Sequence, residues 1–457
     1  MATSTYLTRT GTSGNQKTFT FAGWFKIKPE VQNFCWTAGI YSSTIMSQCY
    51  FESDGTFVIN HFNATPTQLY NLVTDRLFRD PAAWYHVVVA MDTTQAVAAD
   101  RTKIYINGVQ ETSFSTETYP VEDYDTAFNS TLTQSIGRRD GSATYYDGGM
   151  AHLHAADGLA YAPTVFGETD ATSGIWIAKS GPSVTYGTNG GFYKFAAGAL
   201  GTDSSGEGNN MTVTGTMTTT KDTPDNNFMT WNSLAEAGFG NPGGGTFTNG
   251  NTTVTLTSAN YNPSLTTFGL SAGLWYFEIQ QTSLSGAQEG LIGIAGDLPI
   301  PYDRSSNRPI GYTAMEYSYN MNNGNYYNNN TSTSYGVSSA QDDIIGVYID
   351  LDANKLYFAK NGTIMNSGTG ITITAAADNY SEMYIVGATW NSTGAAVYET
   401  NFGNGYFGTT VVTSGVADAG GEGTFEYDPS DGGASSFDGS AKNFRAICTN
   451  NIATYGG

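Results

Sequence analysis

Thr18 to Lys28 (TFTFAGWFKIK) places Phe19, Phe21, Gly23, Phe25 and Ile27 on alternate positions, the period-2 pattern of a half-buried β-strand. Gly55 to Phe62 (GTFVINHF), Trp84 to Met91 (WYHVVVAM), Lys103 to Asn107 (KIYIN), Met150 to Ala155 (MAHLHA) and Phe192 to Phe195 (FYKF) repeat it. Asn107-Gly108 after one of these runs predicts a tight hairpin, because both residues tolerate positive φ. A second series follows: Leu274 to Gln280 (LWYFEIQ), Gly290 to Ala295 (GLIGIA), Ile344 to Asp350 (IIGVYID), Lys355 to Lys360 (KLYFAK) and Met383 to Thr389 (MYIVGAT). Short strands separated by turn chemistry predict antiparallel sandwiches, and no helix longer than about two turns is expected.

Between the two series, Asp203 to Gly250 is rich in Gly, Thr and Asn and loses periodicity. The expected organisation is a first β-sandwich over residues 1–230, a second over 231–410, and a Gly-rich segment with a docked tail over 411–457. Phe444, Ile447 and Cys448 argue for docking, since they would otherwise be exposed.

Composition narrows the function. The chain of 457 residues has 19 Lys+Arg against 40 Asp+Glu, a net charge of −21, which repels phosphates and anionic headgroups. Nucleic-acid binding and membrane insertion are therefore not expected, nor does any apolar run reach about 18 residues. With 30 Tyr, 24 Phe and 7 Trp the chain is too aromatic for a disordered polyanion. The polar Met1 to Phe21 lacks the basic and apolar regions of a signal peptide. Cys35, Cys49 and Cys448 have neither disulfide-framework nor zinc spacing, so ordinary thiols are expected.

Two domain resemblances rest on particular residues. Thr18 to Lys28, the Ala83 to Val89 run (AWYHVVV) and Arg101 to Val109 (RTKIYINGV) resemble the laminin-G/concanavalin-like jelly roll. Trp275 to Glu278 (WYFE), Gly293 to Ala295 and above all Asp343 to Gly362 (DIIGVYIDLDANKLYFAKNG) resemble a SPRY domain, over roughly 245–405. The fold implied is all-β, two concanavalin-like jelly-roll/SPRY antiparallel sandwiches in tandem. Nearly the full chain, with Arg76 to Asp80 (RLFRD), Ile136 to Arg139 (IGRR), Phe166 to Asp170 (FGETD) and Asn443 to Asn450 (NFRAICTN), resembles virion structural proteins of tailed bacteriophages of the marine and cyanophage type. That resemblance implies a fibre or appendage protein located in the virion, partnered by other virion proteins, trimeric, and binding host surface glycans without catalysis. A capsid decoration or cement protein without ligand is the alternative, and a polysaccharide depolymerase a third.

Candidate chemistry concentrates in Glu316 to Tyr335 (EYSYNMNNGNYYNNNTSTSY), with five Tyr and seven Asn. Tyrosine rings stack on the apolar face of a pyranose, and amides offer paired donors and acceptors to hydroxyls. Read as an exposed loop, the segment yields Tyr317, Tyr319, Tyr326, Tyr327, Asn328 and Tyr335 as candidate glycan contacts. His152 and His154, at i and i+2, would share one face of a strand, but two ligands do not make a metal site. Glu122, Asp123 and Asp125 lack EF-type spacing and read as solvated loop charge. Glu278 has no evident catalytic partner, the Glu-x-Asp-x-x-Glu arrangement of related glycosidases is missing, and no catalytic residue, metal or cofactor is expected.

Overall fold

A computed structural model describes residues 4–41, 45–63, 68–234, 245–256, 261–284, 288–296, 309–379, 382–392, 396–430 and 437–456. Part of the Gly-rich stretch between the two strand series, 235–244, lies outside them. The chain divides into two compact units, one of residues 1–219 with 223–225 and one of 220–222 with 226–457.

The first unit contains sixteen strands among its described residues: β1 (Tyr6–Thr10), β2 (Thr18–Ile27), β3 (Asn33–Gly39), β4 (Ile45–Phe51), β5 (Phe57–Asn63), β6 (Gln68–Thr74), β7 (Tyr85–Asp92), β8 (Thr102–Ile106), β9 (Val109–Gln110), β10 (Phe114–Thr118), β11 (Thr133–Ile136), β12 (Gly148–Asp157), β13 (Gly167–Thr169), β14 (Trp176–Ala178), β15 (Gly191–Tyr193) and β16 (Thr212–Thr214). They form an eight-stranded sheet, β10-β6-β5-β4-β3-β11-β1-β16, a six-stranded one, β15-β12-β2-β7-β8-β9, and the separate pair β13-β14. Alternation decides what lies between them: Phe19, Phe21, Phe25 and Ile27 of β2 join Trp36, Phe51, Ile59 and Leu72 in one buried core. The predicted hairpin joins β8 to β9, with Asn107 at φ 47° and Gly108 at φ 80°. The Asn107 side chain also accepts the His86 N–H at 2.8 Å, tying this turn to β7.

The second unit begins with β17 (Thr246–Thr248), β18 (Thr253–Leu256), β19 (Asn262–Leu270), β20 (Leu274–Leu284), β21 (Gln288–Ala295), β22 (Glu316–Asn320), β23 (Asn325–Asn328) and β24 (Thr331–Ser334). It continues with β25 (Ile344–Asp350), β26 (Lys355–Lys360), β27 (Thr363–Ile364), β28 (Ile371–Thr372), β29 (Tyr384–Ser392) and β30 (Ala396–Asn401). One sheet runs β17-β18-β30-β20-β25-β26-β27, with β28 also on β26; the other runs β19-β29-β21-β22-β23-β24. The Ile-Gly-Val-Tyr-Ile strand pairs in register with Leu-Tyr-Phe-Ala, Val347 facing Phe358 and Ile349 facing Leu356. Asp350 accepts the Ala353 N–H at 2.8 Å inside the connecting turn, and Asp352 accepts that of Gly273 at 2.7 Å.

Each sandwich is closed by its own ends. In the first, β1 pairs with β16, Leu7 opposite Val213. In the second, Phe228 bridges Cys448, and Arg445–Ala446 adds a parallel strand to β20 before helix α1 (Thr449–Tyr455). Phe444, Ile447 and Cys448 are fully buried, so the tail is part of the second core. The fold is nearly all β, as the patterning predicts. No described helix is long and apolar enough to cross a membrane.

Candidate functional site

The Asn/Tyr segment forms β22, β23 and β24, a meander at the edge of the second unit's six-stranded sheet, which corrects its reading as an exposed loop. Asn329 and Asn330, at φ 50° and 54°, make the β23–β24 turn. The reason is the period-2 placement of Tyr317 and Tyr319: both rings point into the core, where Tyr319 stacks on Phe358 at 4.9 Å and Tyr317 meets Tyr384 at 6.4 Å. Tyr335 packs edge-on against Phe358 and against Tyr326. These buried rings are therefore unavailable for stacking on a sugar, and the half-buried Tyr326 is committed to the same cluster. Asn328 is drawn into the backbone, its amide donating to Ala314 O at 3.0 Å and Glu316 O at 2.9 Å. Tyr327 points to the other face, opposite Ser318 and Ser332, and is half-buried beside Gly311. Of the six candidates it alone keeps a ring outside the core cluster and without a structural hydrogen bond in view.

Next to Tyr335 lies a cleft of about 550 Å³, lined by Tyr335, Gly336 and Val337 on one side and by Lys360, Asn361 and Thr363 to Asn366 on the other. Tyr335, Ile364, Met365 and the exposed Val337 make it apolar, while Asn361 and Asn366 put amides on its walls. Its one cation is neutralised, since Lys360 Nζ lies 2.8 Å from Asp343 and also donates to Ser338 O at 3.0 Å. Asn361, at φ 47°, holds that corner by donating to Asp343 at 2.7 Å and accepting the Ile344 N–H at 2.8 Å. Such a site suits a neutral ligand with one apolar face and hydroxyl or amide edges. That Lys360 and Asn361 lie beside Tyr335 is a tertiary fact.

The first unit has a second, more open depression of about 560 Å³ between Gly14 to Lys17, Asp125, Asp157, Gly158, Gly187 and Thr188. Asp157 is its structural post, accepting the Asn15 N–H at 2.7 Å and the Asn189 N–H at 3.0 Å. Asp125 lines it, whereas its neighbours Asp123 and Glu122 pair with Lys17 at 3.0 Å and with Arg101 at 3.4 Å.

The histidines are structural. A register shift between Ala151 and His154 puts His152 at φ 48°, so the expected shared face is broken by a bulge. His154 stacks on Phe192 at 4.0 Å and meets the Tyr186 hydroxyl at 2.9 Å, and His86 meets the Trp176 indole N–H at 3.1 Å. Burial pushes His86 and His154 down to about 3 and His61 to about 4. Among the described residues no group of His, Cys, Asp or Glu is arranged to hold a metal ion. The three cysteines are free and buried.

Glu278, without a partner in sequence, is fully buried and surrounded by donors: Tyr276 OH at 3.0 Å, Asn401 Nδ2 at 3.1 Å, and the N–H groups of Glu426 at 3.0 Å and Tyr427 at 2.8 Å. Desolvation outweighs these bonds and pushes its carboxyl up to about 7. Its role is to fasten the 424–427 segment to β20.

Two tandem β-sandwiches with clefts between loops and strand edges define a binding-type architecture. Residues 274–401 match the SPRY domain and residues 2–160 the concanavalin A-like lectin/glucanases superfamily. No curated protein matches the chain. Among solved structures it is similar to the SPRY domain of human HERC1, at 19% identity over 33% of this chain and 87% of that one, with a TM-score of 0.26. It is also similar to stonustoxin, at 16% identity over 38% of this chain and 27% of that one, TM-score 0.27. A third similarity is to the native heptameric SAP-like pentraxin from Limulus polyphemus, at 14% identity over 39% and 87%, TM-score 0.28.

Proposed function

We propose that the chain is a non-enzymatic structural protein of a tailed-bacteriophage virion, a fibre or appendage that binds a host surface glycan in the cleft between Tyr335 and Asn366. The observation that carries the glycan reading is that cleft: an apolar floor, amide walls and a cation already neutralised by Asp343. Tyr327, on the opposite face of the meander beside Gly311, lies outside the cleft. Support for the particle comes from the resemblance along nearly the full chain, and for binding from the tandem binding-type domains. One shallow cleft binds weakly; copies arrayed as trimers among other virion proteins convert weak contacts into avidity.

A decoration or cement protein without ligand is the second reading, favoured by the absorption of Tyr317, Tyr319 and Tyr335 into the core. Glycan-array binding by the full chain, with Asn361→Ala and Asn366→Ala as variants, separates the two. Binding that both variants weaken by tenfold or more supports the adhesin; a blank array, together with density for the protein on the capsid shell by electron microscopy, rejects it.

A further inference from the structure

β25 ends in Asp350, and the chain returns to that residue 92 positions later with Lys442. The Lys442 ammonium is in direct contact with Asp350 Oδ2. The Asp350 side chain is 1% exposed and that of Lys442 15%, so the pair is largely withdrawn from water. Asp350 Oδ1 accepts the Ala353 N–H at 2.8 Å, while Oδ2 faces the lysine. Backbone bridges hold the partner segment, Phe437 to Ser440 and Ser430 to Asn443, on both sides of Lys442.

The surroundings are aromatic and contain a third reactive group. The Tyr357 ring of β26 lies 5.9 Å from Lys442 Nζ and belongs to the buried cluster of Tyr348, Phe437 and Phe444. Its hydroxyl donates to Asp438 Oδ2 at 2.9 Å, and the Gly370 N–H donates to Asp438 Oδ1 at 3.2 Å. Burial works against the Asp438 charge, but those two donors and the neighbouring Lys355 and Lys442 hold its carboxyl below the usual carboxylate range. Asp438 is therefore an ionised base beside the pair, with a side chain 33% exposed to water. An ion pair taken out of water loses hydration on both charges, and mutual attraction restores only part of it. Fusing the two groups into an amide removes both charges and leaves Oδ1 as a carbonyl oxygen that still accepts the Ala353 N–H.

We propose that the folded chain joins Lys442 to Asp350 by an intramolecular isopeptide bond, with Asp438 as the proton relay. The Lys442 ammonium gives a proton to Asp438, and the free amine attacks Asp350 Cγ with its lone pair, forming the Nζ–Cγ bond. The Cγ–Oδ2 bond breaks, and Oδ2 leaves as water with both protons that the nitrogen loses. Asp438 is regenerated, the two opposite charges vanish together, and no oxidant or other reactant enters. Holding amine and carboxyl in contact supplies an effective molarity of about 10⁵–10⁸ M, which favours a condensation that separate groups in water do not undergo. The bond forms once per chain, acts on no external substrate and does not depend on the glycan cleft. It closes a covalent loop around the segment that supplies β26 to β30, so a pull on the tail beyond Lys442 passes to β25 without stretching those strands.

The test is mass spectrometry of the full chain, purified in its folded state and then denatured, with sequencing of its tryptic peptides. The chain weighs less than its sequence by about 18 Da, one water, and the loss maps to a branched peptide in which Asp350 and Lys442 stay joined and trypsin fails to cut after Lys442. Lys442→Arg, which keeps the charge, has the full mass. Asp438→Asn accumulates the full-mass form and loses water at least tenfold more slowly on incubation. A folded parent chain of full mass, a loss that persists in Lys442→Arg, or a branched peptide joining other residues overturns the proposal. Cross-linking as fast in Asp438→Asn as in the parent overturns the relay. The mass of the parent decides the existence of the bond even where a variant does not fold.

Discussion

The four histidines all lie in the first unit, so mild acid acts on that unit through a group the second does not contain. His61, His86 and His154 are buried and neutral, with folded values of about 4, 3 and 3, against about 6.5 for an exposed imidazole. A depressed folded value means stability that is present above about 6.5 and is lost as the pH falls toward the folded value, because only the unfolded chain takes up the protons. At pH 5 each ring costs about 2 kcal/mol, and the three together about 6, less any coupling between His86 and His154. A domain holds about 5–15 kcal/mol in all, so the first unit approaches its limit near pH 5. Glu278 works in the opposite sense: its raised value favours the fold at low pH and loses that contribution as the pH rises from about 4.5 through about 7. The second unit therefore gains about 2 kcal/mol between pH 7 and pH 5. Differential scanning calorimetry from pH 7.5 to 4.5 should show two transitions that move apart, the first falling by about 12–24 °C. His154→Gln should remove about a third of that fall, and Glu278→Gln the rise of the other. Transitions that shift in parallel, or a first transition indifferent to pH between 7 and 5, would refute the assignment of these rings as buried and neutral.

Two further expectations concern packing. Tyr319→Ala should cost about 3–5 kcal/mol in chemical denaturation, as a fully buried ring stacked on Phe358, whereas Tyr327→Ala should stay within about 1 kcal/mol; equal costs would contradict their assignment to opposite faces. Ending the chain after Lys442 removes Phe444, Ile447 and Cys448 from the core and uncovers their neighbours Tyr348 and Phe437. The product should lose the second calorimetric transition and retain the first.

What the chain discloses of itself depends on the range of each interaction. Strands such as Thr18–Ile27 and Ile344–Lys360 are legible because alternation and turn residues act over a few positions. The docking of Phe444 and Ile447 is legible too, since an apolar cluster in a polar tail has to be covered. The Asn/Tyr segment misleads because Asn belongs to turns and loops by propensity. Its Tyr317/Tyr319 alternation is a strand signal that the surrounding asparagines mask. A bulge such as that at His152 leaves no local mark, and the cleft exists only because residues 335–337 are brought beside 360–366.

That each sandwich is shut by its own two ends also sets an order of events during synthesis. The first unit has every strand it needs once residue 214 has left the ribosome, and can fold while the rest of the chain is being made. The second cannot finish until residue 448 is free to meet Phe228, so once β30 is made, at Asn401, it waits as an open sandwich through more than forty further codons. For that interval the nascent chain carries unpaired edges and uncovered aromatics, and the most aggregation-prone step of its manufacture is the wait for the 444–448 tail.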